Sequence, residues 1–138
     1  MRFMMIMYPG QDAESGILPD ESRLTAMGKY NEELVKAGAL LAAEGLQPTS
    51  KGARVTFSKG KATVTDGPFA ETKEIIGGYW MIQCESRQEA IDWATRCPAT
   101  DDEMIEIRQV YEADDFGPAL SEELREAEER MRAQVAKR

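Results

Sequence analysis

Apolar residues open the chain on both alternations: Phe3, Met5 and Met7 share one side of Arg2 to Tyr8, and Met4, Ile6 and Tyr8 share the other. This pattern predicts a strand covered front and back. Pro9-Gly10 ends it, and a polar loop leads to Pro19-Asp20, a helix start with Glu21 in the first turn. Leu24, Met27, Tyr30, Leu34 and Ala37 then recur at helical spacing, which predicts an amphipathic helix over about 20 to 37 that Gly38 can terminate. Leu40 to Leu46 is short and apolar enough for a strand, interrupted by Glu44-Gly45.

A hairpin is predicted between Ala53 and Thr65, with Lys59-Gly60 at its tip. A two-residue turn there sets Phe57 opposite Ala62 and Val55 opposite Val64, four apolar side chains on one face. Gly78 to Cys84 reads as a central strand. Ser86 and Glu89 have capping-box spacing, in which Ser86 accepts from the Glu89 amide and the Glu89 carboxylate returns to the Ser86 amide. Ala90, Trp93, Ala94 and Cys97 are the buried stripe of the helix that follows, and Pro98 lies beyond its end. Met104 to Tyr111 is a last strand, with Ile105 and Ile107 on one side and Glu106 and Arg108 on the other. From Ser121 a third helix follows, with a narrow apolar stripe of Leu120, Leu124, Ala127, Met131 and Val135 suited to docking on the body or on a partner subunit.

Strand, helix, strand, hairpin, strand, helix, strand is an α+β order, a split βαβ sandwich with an inserted β-hairpin and a C-terminal helix. Two helices cover one face of an antiparallel sheet. The other face, which carries Met4 or Met5 and Trp80 or Tyr79 with their partners on the same alternation, needs cover from elsewhere, so the pattern predicts a homodimer packed face to face with a cavity near the sheet ends.

Composition narrows the chemistry. A net charge of −8 and no run of Lys or Arg disfavour nucleic acid. The chain has no histidine, which excludes Ser-His-Asp and Cys-His catalysis and histidine-ligated metal sites. Cys84 and Cys97 fit no redox motif and are expected as reduced, buried thiols. No Gly-rich phosphate loop or Asp-rich calcium loop is present, so no cofactor and no metal are expected. No apolar run approaches the ~20 residues of a membrane span, and the N-terminal stretch is too short and strand-like for a signal peptide. The expected location is cytoplasmic.

Residues 66–74 read DGPFAETKE and run into IIGGYWMI. This resembles the DGPF, or YCII-related, domain family, as do GLQPTSKGARVTFSKGKATVTDGPF upstream and EIRQVYEADDF at 106–116. The resemblance implies a ferredoxin-like fold assembled as a dimeric α+β barrel. It makes residues 1–138 a single domain, with 117–138 a C-terminal helical extension. It names no reaction: the His-Asp chemistry associated with more distant relatives does not transfer to a chain without histidine. It also implies a possible regulatory or accessory role beside an extracytoplasmic-function sigma factor.

The same residues support two readings. Asp66-Gly67-Pro68 is a turn in which Asp caps amides, Gly allows unusual dihedrals and Pro fixes the exit, with Phe69 as an apolar plug. Alternatively the turn sets Asp66, Glu71 and Lys73 at the mouth of the intersubunit cavity, Asp66 or Glu71 as base and Lys73 as anion anchor. Extended backbone would put Glu71 and Lys73 on one side. Tyr8 is a candidate acid, and Phe69, Trp80, Glu44 and Arg108 are candidate ligand contacts. The function expected on this reading is binding of a small organic molecule, with isomerase- or lyase-type proton transfer. Its alternative is a non-catalytic accessory protein of a sigma factor.

Overall fold

The computed structural model describes residues 1–138, the side chain of Thr72 excepted. In chain order the elements are strand β1 (Arg2–Tyr8), a single helical turn α1 (Gln11–Glu14), helix α2 (Glu21–Lys36) and strand β2 (Leu40–Gly45). Strands β3 (Ala53–Ser58) and β4 (Lys61–Asp66) come next, then β5 (Gly78–Gln83), helix α3 (Arg87–Thr95), β6 (Met104–Gln109) and helix α4 (Glu122–Ala136). Strands β2, β5, β1 and β6 form one antiparallel sheet in that order. With α2 and α3 on one side this is the ferredoxin-like α+β arrangement, and β3–β4 forms a separate two-stranded ribbon inserted before β5.

The two main helices begin as their sequences require. Asp20 accepts a hydrogen bond from the Arg23 amide at 2.8 Å and so caps α2. Ser86 accepts from the Glu89 amide at 3.1 Å, but the Glu89 carboxylate returns to the amide of Glu85 at 2.7 Å, one residue earlier than the capping-box spacing predicts. Gly38, at φ 71°, turns the chain out of α2 into β2.

The covered face of the sheet holds the core. Phe3, Met5 and Met7 pack with Trp80, Ile82, Tyr30, Leu34, Ala90 and Trp93, and Ile105 and Ile107 close its β6 side. Tyr30 is the hub, its ring edge-on to Trp80 at 5.9 Å and to Trp93 at 6.4 Å. Its hydroxyl donates to the Trp93 carbonyl at 2.6 Å, and burial pushes its pKa well above the ordinary tyrosine value. The stripe predicted for α2 is shorter than expected, because Leu24 is 60% exposed.

The opposite face carries Met4, Tyr79 and Met81, all half-buried, and Ile6, buried, with Met104 exposed at its β6 edge. Helix α4 buries no residue, and it borders this face only at the Arg2 end, where Arg125, Glu128 and Arg132 share a cleft with Arg2, Glu112 and Phe116. It is tied back locally by Arg125, which pairs with Asp114 at 3.1 Å. Among the described residues, no helix is long and apolar enough to cross a membrane.

Cys84 and Cys97 are free thiols. Burial, with Glu103 nearby, pushes Cys97 up to about 11, so it stays protonated near neutral pH.

Candidate functional site

The DGPF segment is built as a junction. Glu14, on the short α1, accepts from the Thr49 amide at 2.9 Å and from the Thr49 hydroxyl at 2.6 Å. The Thr49 oxygen accepts in turn from the Phe69 amide at 3.1 Å. The Gly67 amide donates to the Gly52 carbonyl at 3.0 Å, and any Cβ at Gly67 would run into the Thr49 carbonyl. Glycine is required there by close backbone approach. Phe69 lies half-buried beneath Arg54, whose guanidinium sits 3.8 Å from the ring centre. This junction gives Gly67 and Phe69 a physical reason without a ligand, whereas no hydrogen bond to the Asp66 carboxylate, expected to cap amides, is found among the described residues.

Asp66 ends β4 opposite Ala53 and is exposed. Residues Thr72–Glu74 form a 3₁₀ turn, closed by the Glu74 amide on the Glu71 carbonyl at 2.9 Å. The extended alternation expected for Glu71 and Lys73 is therefore absent. Local turn geometry separates the two side chains, and both are exposed.

Lys73 instead meets Tyr8. They line a cleft of about 260 Å³ with Pro9, Gly10, Gln11, Asp102 and Met104. Tyr8 ends β1 on the open face of the sheet, directly across from Met104 at the start of β6. Gly10 leaves room for the neighbouring carboxylate: a Cβ there would stand 2.7 Å from an Asp102 oxygen. The cleft thus offers an ammonium with three N–H donors, a phenol that donates or accepts, and a carboxylate acceptor, set on a floor of Pro9 and Met104.

A second cleft, of about 270 Å³, lies where α2 crosses the β2–β5 edge and holds Glu44 and Trp80 with Arg23, Asn31 and Met27. The Trp80 indole N–H donates to Asn31 Oδ1 at 2.8 Å. Since an indole only donates, this bond fixes the Asn31 amide with its NH₂ turned away from Trp80. Arg23 is engaged by the Glu103 carboxylate at 2.7 Å. Burial works against ionisation of Glu103, but hydrogen bonds from Thr100 and Arg23 outweigh it and hold the carboxyl below its ordinary value.

Among the candidates named from sequence, the fold joins Tyr8 with Lys73 and Glu44 with Trp80. Asp66, Phe69 and Glu71 line neither cleft, and Arg108 is exposed on the open face opposite Met4. Sequence reading missed Asp102, Gln11, Asn31 and Thr49. Asp102 stands in the acidic run Asp101-Asp102-Glu103 just before β6, a signal that looks like solvated loop until Gly10 is placed against it.

Fold and clefts together define a ferredoxin-like α+β protein with a small, mainly apolar cleft edged by a few polar groups where β1 ends on the open sheet face. The YCII-related domain matches residues 1–114, and the chain belongs to that family. It is 40% identical over 75 residues to an uncharacterized protein of Rhizobium meliloti (strain 1021), a stretch covering 54% of this chain and 60% of that relative.

Proposed function

We propose that the chain binds a small organic acid in the Tyr8–Lys73 cleft, and that a second copy packed on the open sheet face completes the site. The convergence of Tyr8 and Lys73, 65 positions apart in sequence, on one cavity of about 260 Å³ carries this reading. Lys73 anchors the ligand carboxylate, while Pro9 and Met104 take its apolar body. Tyr8 donates to a second oxygen, and Asp102 accepts from a ligand hydroxyl or takes up a proton. That pair suits isomerase- or lyase-type proton transfer beside a carboxylate. The dimer reading rests on the half-buried Met4, Tyr79 and Met81 and the exposed Met104 of the sheet face turned away from α2 and α3.

The test is a binding screen by thermal shift and by NMR, using benzoate, salicylate and straight-chain carboxylates of four to eight carbons. Saturable binding is expected, weakened at least about tenfold by Lys73→Ala, restored in part by Lys73→Arg and unchanged by Asp66→Asn. Undiminished affinity in Lys73→Ala overturns the site, and a monomer in sedimentation at micromolar concentration overturns its completion by a second copy.

A second reading, an accessory protein of an extracytoplasmic-function sigma factor, draws on the exposed α4. Co-purification with a sigma factor that is lost on removing residues after Phe116 would favour it.

A further inference from the structure

Strands β3 and β4 bury nothing: every residue of both is exposed. A two-stranded ribbon without cover is marginal in water, so this one calls for a partner surface. One of its faces presents Val55, Phe57, Ala62 and Val64, with Phe57 79% and Val64 65% exposed. The ribbon is also basic in an acidic chain: residues 51–66 carry Lys51, Arg54, Lys59 and Lys61 against Asp66 alone, and the whole has net charge −8. Arg54 is taken up by the Phe69 ring, which leaves Lys59 and Lys61 at the tip.

The strand registers fix where the ribbon starts. It leaves the sheet between Gly45, the end of β2, and Gly78, the start of β5, and these two residues pair with each other. Gly78 also pairs with Met7, and Tyr8 pairs with Met104, so the Tyr8–Lys73 cleft opens at this same end of the sheet, between β1 and β6. Asp102 lines that cleft and Asp101 precedes it, both exposed. Among the described residues, no ion pair engages Lys59, Lys61, Asp101 or Asp102. At the opposite end the carboxylates are taken, Glu112 by Arg2, Asp114 by Arg125 and Glu128 by Arg132.

We propose that the β3–β4 ribbon of one copy roofs the Tyr8–Lys73 cleft of a second copy. This rests on the open-face pairing proposed above and names the element that completes the site. The strand order β2-β5-β1-β6 supplies the geometry. A two-fold axis along the strands, at the centre of the packed faces, keeps like ends together and sets β2 and β5 of one copy opposite β6 and β1 of the other. The root of the ribbon then stands across from the other copy's cleft, about 10 Å away at ordinary sheet spacing, and six extended residues reach about 20 Å. Phe57 comes down on the floor of Pro9 and Met104, the latter exposed in the single chain. Lys59 and Lys61 meet Asp101 and Asp102, and symmetry makes the contact twice.

Sedimentation equilibrium at low salt measures the dimer constant of the wild type, of the arm variant Lys59→Glu/Lys61→Glu and of the rim variant Asp101→Lys. All three positions are exposed, so the fold tolerates the changes. Each variant alone is expected to dimerise at least about fivefold more weakly, and an equimolar mixture of the two to recover the loss. The recovery follows because a mixed dimer sets reversed arm on reversed rim and native arm on native rim. Net charge alone predicts the opposite sign for Asp101→Lys, which makes the chain less acidic. Salicylate titrated by NMR, at concentrations where the chain is dimeric, reads the roof: Phe57→Ser is expected to bind it at least about fivefold more weakly. Unchanged salicylate affinity in that variant overturns the roof. Dimer constants unmoved by either reversal, but lost in Met81→Glu on the open face, overturn the arm and leave the face pairing standing. A monomeric wild-type chain overturns both. Recovery in the mixture without salicylate binding by the wild type upholds the seating of the arm and overturns the ligand reading. Arm-dependent binding of a fluorescent single-stranded oligonucleotide, with an unchanged dimer constant, assigns the basic ribbon to nucleic acid and overturns the inference.

Discussion

Phe3 and Phe57 are the same residue type in strands of the same alternating kind, yet Phe3 is 2% exposed and Phe57 79% exposed. Phe3 sits in β1, paired on both sides, and faces the layer made by α2 and α3. Phe57 sits in a ribbon paired on one side only, and no helix faces it. Alternation decides which side chains share a face; it does not decide whether anything covers that face. In the four-stranded sheet the covering is supplied within the chain, by helices whose own stripes are legible. For the ribbon and for the open face of the sheet it is not.

The contrast predicts its largest effect in the core. Ile82 is fully buried at the centre of the covered face, and Ile82→Ala is expected to cost about 2–5 kcal/mol in urea unfolding. Gly67→Ala comes next, because its methyl must displace the Thr49 carbonyl and open the Glu14–Thr49–Phe69 junction. The expected loss is about 1–3 kcal/mol, with hydrogen exchange quickening at the Phe69 amide. If that loss is absent, the junction is softer than its geometry implies and the turn is free for other work.

A smaller effect is pH-dependent. The Glu103 carboxyl is held below its ordinary value in the folded chain, so its contribution to stability is complete above the ordinary carboxylate range and disappears as pH falls through the folded value. Glu103→Gln should therefore be less stable than the wild type at neutral pH, with the gap closing on acidification. Arg23 and Glu103 tie α2 to the loop before β6, so a gap that persists in acid would mean the pair acts by packing rather than by charge.

Much of the fold could be read in advance because its determinants are local. The Lys59-Gly60 turn set the ribbon register, and both residues take positive φ, 51° and 77°. Asp20 and Ser86 marked helix starts through bonds three residues long. The clefts were harder because their contacts span long separations. Glu14 reaches Thr49, Asn31 reaches Trp80 and Lys73 shares a cavity with Tyr8, and no periodicity encodes such meetings. At Thr72–Glu74 a single 3₁₀ turn was enough to undo an argument built on extended alternation. The DGPF run was the most conspicuous signal, but Asp66, Glu71 and Phe69 do not reach the cleft that Lys73 enters.

The smallest expected effect sharpens the comparison most. Phe57→Ala removes a large aromatic side chain, yet in a dilute sample of single copies it should change unfolding stability by less than about 0.5 kcal/mol, because nothing is packed against it to lose. If a second copy covers Phe57, the same substitution becomes destabilising at concentrations where copies associate, since stability is then linked to assembly by mass action. Ile82→Ala offers the control: its cost is paid inside one chain and should be nearly independent of concentration. A Phe57→Ala penalty that is large even in dilute solution would mean the ribbon folds back onto its own chain, and the difference between the two phenylalanines would then be one of degree.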